Sequence, residues 1–349
     1  MTTPLVAIDA DVLGRQRTGD ECYVENLLGH LAIQASEVRV AAVTRAPGLL
    51  PAGIRPVVLP ARSQSVRMLW RLPRLLRRLR PSLAHFQYAI PPGCPVPTAI
   101  TVHDLSFAEF PSFVPLHDRV ALQTLVPRSL RRAALVFTVS EWTKGRIVER
   151  YRVAEDRIVV TPNGVDPLFG PDGGNAPEGR YVLFVGAIQP RKDPIAALEA
   201  LALLDADIRL LMVGPEKQAA RQVREAVARL GVHHRVEFRG YVDKAELATL
   251  YRGALCLLLP SRYEGFGLPV LEAMACGAPV VATTAGAIPE VAGDAAVLVD
   301  PGDPEALADG VRRAMAQRER LRTAGLARAA RFDWAETARR TLAAYREVL

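Results

Sequence analysis

The chain alternates short apolar runs with segments whose apolar residues recur every three or four positions. Apolar runs of four to eight residues predict buried strands, and the longer spacing predicts helices that cover them. This alternation is typical of parallel sheets that are buried on both faces. The predicted strands are Leu5–Ala10, Val38–Val43, Pro56–Leu59, Leu83–Tyr88, Thr98–His103, Leu135–Ser140, Ile158–Thr161, Tyr181–Ala187, Ile208–Val213, Val236–Gly240, Ala254–Leu259, Val280–Thr283 and Ala296–Val299.

The predicted helices include 194–204, 218–230 and 244–251, and the segment 170–179 interrupts the pattern with Gly, Pro and polar residues. Such a composition indicates a linker. Because 349 residues exceed one ordinary core, the sequence predicts two doubly wound domains, over 1–169 and 181–332, with a linker at 170–180. Parallel sheets bind ligands beyond the carboxyl ends of their strands. We therefore expect the chemistry in those loops, in a central cleft that both domains face.

Composition excludes several classes of protein. Half of the residues are hydrophobic and 23% are charged, which excludes intrinsic disorder as the main state. No apolar run reaches the roughly 18 residues that cross a bilayer, and the first residues lack a basic secretion signal. The four cysteines are far apart and the histidines lack zinc spacing, so we expect no disulfide and no structural metal. We expect a soluble cytoplasmic protein.

The positive charge is unevenly distributed. The net charge of +7 lies in residues 1–170, with 21 Lys and Arg against 14 Asp and Glu, and the remainder carries 23 of each sign. This asymmetry indicates an anionic partner of the first half, which is a nucleic acid, an acidic membrane surface or an anionic substrate.

An arginine-rich segment at 66–80 accounts for the excess. Its leucines follow helical spacing and its arginines line another face: Leu69, Leu72, Leu76 and Leu79 against Arg67, Arg71, Arg74 and Arg78. One interpretation is a helix on an anionic membrane, where a lipid-linked acceptor would be found. The other, which we favour, is a covering helix whose leucines pack on the sheet and whose arginines are solvated.

The segment 260–279 is the most informative motif. The predicted strand before it ends at Pro260, Pro269 suits the first turn of a helix, and Gly277 followed by Pro279 ends that helix. The free amides at the start of such a helix attract anions, and Gly265 and Gly267 allow the backbone to approach a phosphate.

Two glutamates flank this turn, with seven residues between Glu264 and Glu272. Carboxylates would repel a phosphate, so we expect them to accept hydrogen bonds from sugar hydroxyls, one on the transferred sugar and one on a ribose. For Glu272 the alternative is a structural glutamate stabilised by the helix dipole. Phosphate-binding amides beside diol-binding carboxylates suit a nucleotide-sugar.

A second loop follows the predicted strand at 181–187 and carries adjacent cations, Arg191 and Lys192. There they would hold a diphosphate and offset the charge of a departing nucleotide. In isolation the pair is equally a solvated basic loop.

Two further segments of the first domain end predicted strands. His103 lies at such an end, on the predicted cleft face, with Asp104 either fixing its tautomer or capping the next turn. Asp9 and Asp11 are spaced like a divalent-metal motif. Because Arg191, Lys192 and helix amides already supply positive charge, we favour no essential metal.

Together these segments resemble the retaining glycosyltransferases of the GT-B fold, in their large fourth family. The resemblance rests on Glu264 through Glu272, on Arg191-Lys192, on Pro162-Asn163-Gly164-Val165-Asp166, on the loop Arg17-Thr18-Gly19 before Tyr23-Val24, and on His103-Asp104. It covers nearly the whole chain and is strongest with the family's bacterial mannosyltransferase-like branch. Many members have an arginine where this chain has Ala187, which shifts phosphate binding to Arg191, Lys192 and the amides.

The resemblance implies two Rossmann-like domains and a role for each motif residue. Gly19 would approach the diphosphate, Tyr241 and Val242 would lie near the base, and His103 would lie beside the anomeric centre. The donor sugar and its phosphate would be held by Glu264 with the amides of Gly265, Phe266, Gly267 and Leu268, and the ribose by Glu272. The family also implies that the last helix, 333–349, returns to the first domain.

The resulting expectation is a metal-independent enzyme that moves a sugar, with retained configuration, from a nucleoside diphosphate sugar such as GDP-mannose. The acceptor would be a glycan or lipid-linked sugar, as in polysaccharide biosynthesis. The alternatives are a GT-B nucleotide-sugar epimerase, a non-catalytic sensor of nucleotide-sugars, and a nucleic-acid-binding protein. Aromatic residues total only 6%, which argues against base stacking on nucleic acid.

Overall fold

The computed structural model describes residues 3–15, 18–174 and 177–349. These residues form two compact units. Unit 1 holds the described residues of Met1–Gly164 together with Asp333–Leu349, and unit 2 comprises Val165–Phe332.

Unit 1 is built on a parallel seven-stranded sheet with the strand order β3-β2-β1-β4-β5-β6-β7. The order starts at β1 in the middle and runs outward in both directions, as in doubly wound sheets. The strands are β1 Leu5–Asp9, β2 Arg39–Thr44, β3 Arg55–Val58, β4 Leu83–Gln87, β5 Thr98–Val102, β6 Leu135–Thr138 and β7 Ile158–Val160.

The helices of unit 1 connect these strands, and the last of them comes from the end of the chain. Tyr345 of that helix contacts His85 of β4, whose Nδ1 lies 2.6 Å from the tyrosine oxygen. Burial lowers the pKa of His85 to about 3, so this histidine is a neutral structural residue. The helices are α1 Thr18–Gln34, α2 Gln64–Val66, α3 Leu72–Leu79, α4 Ser106–Glu109, α5 Leu116–Arg132, α6 Glu141–Tyr151 and, at the chain end, α14 Trp334–Val348.

Unit 2 repeats the design with a parallel six-stranded sheet in the order β10-β9-β8-β11-β12-β13. Its strands are β8 Tyr181–Val185, β9 Arg209–Val213, β10 Val236–Gly240, β11 Cys256–Leu259, β12 Val280–Thr283 and β13 Val297–Val299. Its helices are α7 Pro194–Ala202, α8 Ala220–Arg229, α9 Lys244–Gly253, α10 Leu268–Ala275, α11 Ile288–Ala292, α12 Pro304–Ala316 and α13 Arg318–Ala329.

The predicted elements agree closely with the structure. All thirteen predicted strands are present, and each end lies within two residues of the predicted one. The three named helices agree to the same extent. Strands buried on both faces must be apolar throughout, which makes them conspicuous in a sequence. The prediction of an α/β protein with two doubly wound parallel sheets is confirmed.

Apolar residues of the helices cover the sheets. In unit 2, Leu198 of α7, Val223 of α8 and Leu307 of α12 are buried in the core against the strands. Among the described residues, no helix combines the length and the apolar character that crossing a bilayer requires.

The arginine-rich segment departs from the prediction. Instead of one regular helix, α2 is followed by a π-helical turn, Arg67–Arg71, before α3 begins. A π-helical turn carries an extra residue, so it rotates the positions before it relative to those after it. Leu72 and Leu76 are buried as expected, but Leu69 is 51% exposed and Arg67 is completely buried. The predictions that Leu69 packs on the sheet and that Arg67 is solvated are therefore wrong.

Burial of Arg67 is explained by its partners at the end of β1. Its Nη2 and Nη1 atoms donate to the two carboxylate oxygens of Asp9, at 2.6 and 2.9 Å. Its Nε lies 3.4 Å from Asp11. A buried guanidinium is tolerated only when paired in this way, so the two aspartates fix how the segment packs on the sheet.

Gly164 packs closely against the start of the last helix within unit 1. A Cβ atom added at Gly164 would lie 2.1 Å from the backbone nitrogen of Trp334, the first residue of α14. Because the neighbour is backbone, we expect Gly164→Ala to lower the free energy of unfolding by about 2–3 kcal/mol, measured by denaturant titration.

The matched control is Gly145→Ala, inside α6, where an added Cβ meets no atom within 4 Å. There alanine favours the helix, so we expect no loss, or a gain of up to about 1 kcal/mol. Equal stability of the two variants would contradict the close approach of α14 to Gly164.

Candidate functional site

The candidate site of unit 2 lies at the carboxyl ends of β8 and β11, which are neighbours in the sheet. The loop after β8 carries Arg191 and Lys192, and the loop after β11 carries Glu264. Backbone contacts join the loops, since the amide of Arg262 donates to the carbonyl oxygen of Arg191 at 2.9 Å. The structure thus brings together the two motifs that the sequence singled out separately.

The side chains of the two loops form a buried ionic cluster. Lys192 Nζ lies 2.6 Å from Glu264 Oε1, and Arg191 Nη1 lies 3.2 Å from Glu264 Oε2. Ser261 Oγ donates to Glu264 Oε1 at 2.6 Å. The side chains of Lys192 and Glu264 are only 10% and 6% exposed, so neither member is a solvated surface charge.

The neighbouring cations keep Glu264 ionised. Burial by itself would raise the pKa of this carboxyl, but the positive charges of Lys192 and Arg191 outweigh burial and hold it below its ordinary value. Arg191 and Lys192 lie in the loop after β8, where the sequence places them. Their partner in the structure is the glutamate, whose carboxylate they already contact.

The backbone around Glu264 is tightly constrained. Its carbonyl oxygen accepts a hydrogen bond from the amide of Ala287 at 3.0 Å. A Cβ atom at Gly286 would lie 2.1 Å from that same oxygen, so only glycine fits there. Sequence reasoning missed Gly286, because nothing along the chain indicates that its loop closes over Glu264.

The turn after Glu264 begins α10 as predicted. Gly265, Phe266 and Gly267 are buried, and Gly267 takes a left-handed conformation, φ 106°, immediately before Leu268. Gly267 has no side chain to cap the helix, so the amide of Leu268 can point at an anion. Pro269 has no amide hydrogen, and the amide of Val270 donates to the carbonyl oxygen of Gly267 at 2.9 Å.

Glu272 lies one turn into α10 and has a different environment. Tyr251 of α9 donates its hydroxyl hydrogen to Glu272 Oε2 at 2.9 Å. Burial raises the pKa of Glu272 to about 7, although the Tyr251 hydrogen bond and the charge of Lys244 oppose the shift. The two motif glutamates are thus distinct, since one is held ionised and the other titrates near neutrality. Sequence reasoning missed Tyr251, which is buried on a neighbouring helix.

Tyr241 and Val242 follow β10, which lies two strands from β8. Tyr241 is 60% exposed and Val242 is partly buried. Neighbouring strands lie about 4.8 Å apart, so the two residues are about 10 Å along the sheet edge from the β8 loop. That distance separates them from the ionic cluster.

His103 directly follows β5 in unit 1 and is almost completely buried. Its Nε2 atom lies 2.8 Å from Gln87 Oε1 and 4.0 Å from Asp20 Oδ1. Burial lowers the pKa of His103, so the ring is neutral. Asp104 contacts the amide and hydroxyl of Ser106, at 3.0 and 2.8 Å, which is the turn-capping alternative.

The predicted glycine loop at 17–19 is only partly described. Arg17 lies outside the described residues, and α1 begins at Thr18. Gly19 is therefore in the first turn of a helix, and this corrects the prediction of a loop. An added Cβ at Gly19 would meet no atom within 4 Å, so the backbone there is open to a ligand.

Asp9 and Asp11 are engaged by arginines. Besides Arg67, Asp11 contacts Arg45 at 2.6 Å and Arg15 at 2.5 Å. In the described part of the chain, no group of three or more His, Cys, Asp or Glu residues has the geometry of a metal site.

The buried ionic cluster predicts a large effect of Lys192→Met on stability. This substitution leaves the buried carboxylate of Glu264 with a single cationic partner. We expect a loss on the order of 3 kcal/mol in the free energy of unfolding. The double variant Lys192→Met/Glu264→Gln should recover at least half of that loss, because it removes the unpaired charge.

The control for this pair is Lys217→Met, a lysine on the surface of the same unit, which should change stability by less than about 0.5 kcal/mol. If Lys192→Met were as stable as the control, Lys192 would not be needed to compensate the buried carboxylate of Glu264.

Glu272 predicts a pH dependence of stability. Its folded pKa of about 7 lies above its ordinary 4.5, so the folded chain binds the proton more tightly than the unfolded chain. This contribution is complete below pH 4.5 and is lost as the pH rises to about 7, amounting to at most about 3 kcal/mol. We expect Glu272→Gln to abolish that slope in denaturation experiments, whereas Glu225→Gln on the surface should retain it. An unchanged slope in Glu272→Gln would contradict the raised pKa.

Comparison with known proteins places both units in one family. The family model "Glycosyl transferases group 1" matches residues 171–330, and the model "Glycosyltransferase Family 4" matches residues 18–168. The two matches together cover most of both units.

Curated relatives and solved structures agree with these matches. The O-antigen chain mannosyltransferase B of Escherichia coli is 33% identical over 268 residues, which are 70% of this chain and 69% of that protein. A D-inositol 3-phosphate glycosyltransferase of Segniliparus rotundus is 35% identical over 72% of this chain, which spans 60% of that relative's length. The sucrose-phosphate synthase of Thermosynechococcus elongatus superposes with a TM-score of 0.81 at 23% identity, over 99% of each chain, and shows the same fold.

The family models, the relatives and the paired Rossmann-like sheets lead to one conclusion. The chain is a glycosyltransferase of the GT-B fold and belongs to the group 1 glycosyl transferases, in glycosyltransferase family 4.

Proposed function

We propose that the enzyme transfers a sugar from a nucleoside diphosphate sugar to a hydroxyl acceptor, with retained anomeric configuration and without an essential metal. The observation that carries this proposal is the buried cluster of Arg191, Lys192 and Glu264 beside the start of α10. It combines cations for a diphosphate with a carboxylate for sugar hydroxyls.

The diphosphate would lie against Lys192, Arg191 and the amides of the turn 265–268. Two cations in a water-poor site attract a diphosphate more strongly than they would at the surface. As the diphosphate takes over part of their charge, Glu264 becomes a better acceptor for hydroxyls of the donor sugar. The ionic cluster would therefore be a preformed site, in which Arg191 and Lys192 contact both Glu264 and the diphosphate.

The rest of the nucleotide would extend from this point. Glu272 would accept hydrogen bonds from the ribose hydroxyls, and Tyr241 and Val242 would lie near the base. Gly19, at the open first turn of α1, would allow backbone approach to the diphosphate. These roles follow the family resemblance, and the free backbone at Gly19 and the exposed ring of Tyr241 support them.

The transfer itself is a substitution at the anomeric carbon. The bond from that carbon to the diphosphate oxygen breaks, a bond to the acceptor oxygen forms on the same face, and the leaving phosphate takes the acceptor's proton. Arg191 and Lys192 would stabilise the charge that develops on the leaving group. His103, which is neutral, would lie beside the anomeric centre.

We propose GDP-mannose as the first donor to test. One relative is named a mannosyltransferase, and the sequence resembles the mannosyltransferase-like branch. The acceptor would be a glycan or a lipid-linked sugar, and the location would be the cytoplasm, with the membrane surface as an additional contact if the acceptor is lipid-linked.

The competing functions have less support. The family models and relatives are glycosyltransferases, so they favour transfer over epimerisation. A binding protein for nucleic acid does not need the buried cluster of unit 2. A non-catalytic sensor would need the same donor site, and only turnover separates it from an enzyme.

A panel of nucleotide-sugars tests the proposal. A donor at a hundred times its dissociation constant should add about 2.7 kcal/mol of stability, which is visible as a shift of the melting temperature. The stabilising donor should then support transfer, with the anomeric configuration read by NMR. We expect Glu264→Gln and Arg191→Met to reduce turnover at least a hundredfold and EDTA to leave it unchanged.

The surface substitution Arg221→Ala is the control for charge removal, since Arg221 is exposed and pairs with Glu225 on α8. Normal turnover in Glu264→Gln and Arg191→Met would overturn the assignment of the site. A glycosyl-enzyme adduct trapped in mass spectrometry would overturn direct transfer, and donor conversion without acceptor to an epimer would favour the epimerase.

A further inference from the structure

A second cluster of charge lies in unit 1, in a part of the chain that the donor site does not use. Between Glu37 and Asp104 the sequence contains ten arginines and no aspartate or glutamate. This stretch forms β2 to β5 and the helices α2 and α3. An imbalance of this size at one region of a fold creates a local positive potential.

The structure collects part of this charge around an open cavity of about 640 Å³. The cavity lies at the carboxyl ends of β2 and β3, which is the edge where parallel sheets bind ligands. Its lining includes three arginines and a serine hydroxyl, and no acidic residue: Arg45, Pro60, Ala61, Arg62, Ser63, Val66 and Arg71.

Arg45 is held in place on one side of the cavity. Its Nε and Nη2 atoms donate to Asp11 at 2.6 and 3.1 Å, and its Nη1 atom donates to the carbonyl oxygen of Ala61 at 2.9 Å. Since a guanidinium has five donor hydrogens, two of them are left for a ligand. These hydrogen bonds already order the Arg45 side chain, so binding an anion would cost little further conformational entropy.

The other two arginines are exposed. Arg71 donates to the carbonyl oxygen of Pro60, and no carboxylate of the described residues lies within 4 Å of Arg62 or Arg71. The nearby aspartates do not neutralise the cavity, because Arg15, Arg45 and Arg67 already outnumber Asp9 and Asp11. The cavity therefore has uncompensated positive charge.

We propose that this cavity binds an anionic group, a phosphate or a carboxylate, that belongs to the acceptor. The inference deepens the proposed function, because it assigns the acceptor a charge. Guanidinium groups arranged around a concavity fit the planar or tetrahedral oxygens of such anions and bind them in pairs of hydrogen bonds.

The sheet order sets where the anion lies relative to His103. The residues that line the cavity follow β2 and β3, whereas His103 follows β5. In the sheet, β2 is three strands from β5, a separation of about 14 Å at the usual strand spacing. The anionic group is therefore remote from the sugar hydroxyl that reacts near His103, and the acceptor extends over more than one sugar unit.

A flat membrane surface is the competing partner, because Leu69 and Trp70 are exposed on the same segment, at 51% and 57%. The charges that line the cavity are set in a concave site with a fixed guanidinium on one side, which favours a discrete anionic group. Binding to anionic vesicles in place of soluble anions is the result expected of a membrane surface, and it would contradict the proposal.

The test uses isothermal titration of the full chain at constant ionic strength, with the best nucleoside diphosphate of the donor panel present at saturation. The probes are glucose 6-phosphate, glucuronate and glucose. We expect at least one anionic probe to bind and glucose not to bind. Arg62→Ala/Arg71→Ala should weaken that binding at least tenfold, while Arg74→Ala/Arg78→Ala, with the same loss of charge on the exposed face of α3, should change it less than twofold.

Three outcomes would overturn the inference. Neither anion binds, or the two double variants weaken binding equally, or Arg62→Ala/Arg71→Ala weakens binding to vesicles of anionic phospholipid but not to the soluble anions. The affinity for the nucleoside diphosphate is measured for each variant in a separate titration without the anionic probes. Its failure would count against the donor site of unit 2, and normal affinity without anion binding would count only against the acceptor cavity.

Discussion

The pairing of buried opposite charges at the carboxyl ends of parallel strands is the constraint on which this protein depends. In unit 2, Lys192 and Arg191 form ion pairs with the carboxylate of Glu264. In unit 1, Arg67 forms one with Asp9. Charges in such positions are stable only when each has a partner. Strand ends are also where a parallel sheet binds its ligands. The same pairs therefore hold the loops in place at the edge where a ligand would bind.

The two units use this device differently. In unit 2 the paired carboxylate belongs to the motif itself, so a bound diphosphate would compete with Glu264 for the cations. In unit 1 the pairs of Asp9 and Asp11 lie beneath the surface and fix the segment that carries the exposed arginines. The paired charges of unit 2 and the surplus positive charge of unit 1 would suit a donor and an acceptor that are both anionic, as proposed above.

Much of the fold was predictable because its signal is local. Every strand of both sheets was found to within two residues, since a strand covered on two faces has to be apolar along its length. The helix over 66–80 failed at Arg67 and Leu69 for the opposite reason. Nothing in the local pattern shows that a π-helical turn will rotate an arginine inward, because the carboxylate that attracts it, Asp9, is 58 positions away in the chain.

The sequence by itself determined the doubly wound sheets, the strand-loop-helix setting of Glu264 and Glu272, and the basic pair Arg191-Lys192, because each depends on residues close together in the chain. Only the tertiary structure decided that Lys192 contacts Glu264 and that Tyr251 donates to Glu272. It also decided that neighbouring cations lower the pKa of Glu264 while burial raises that of Glu272. Those properties depend on which strands lie side by side and on how much water is excluded. Neither quantity is set by the neighbours of a residue along the chain.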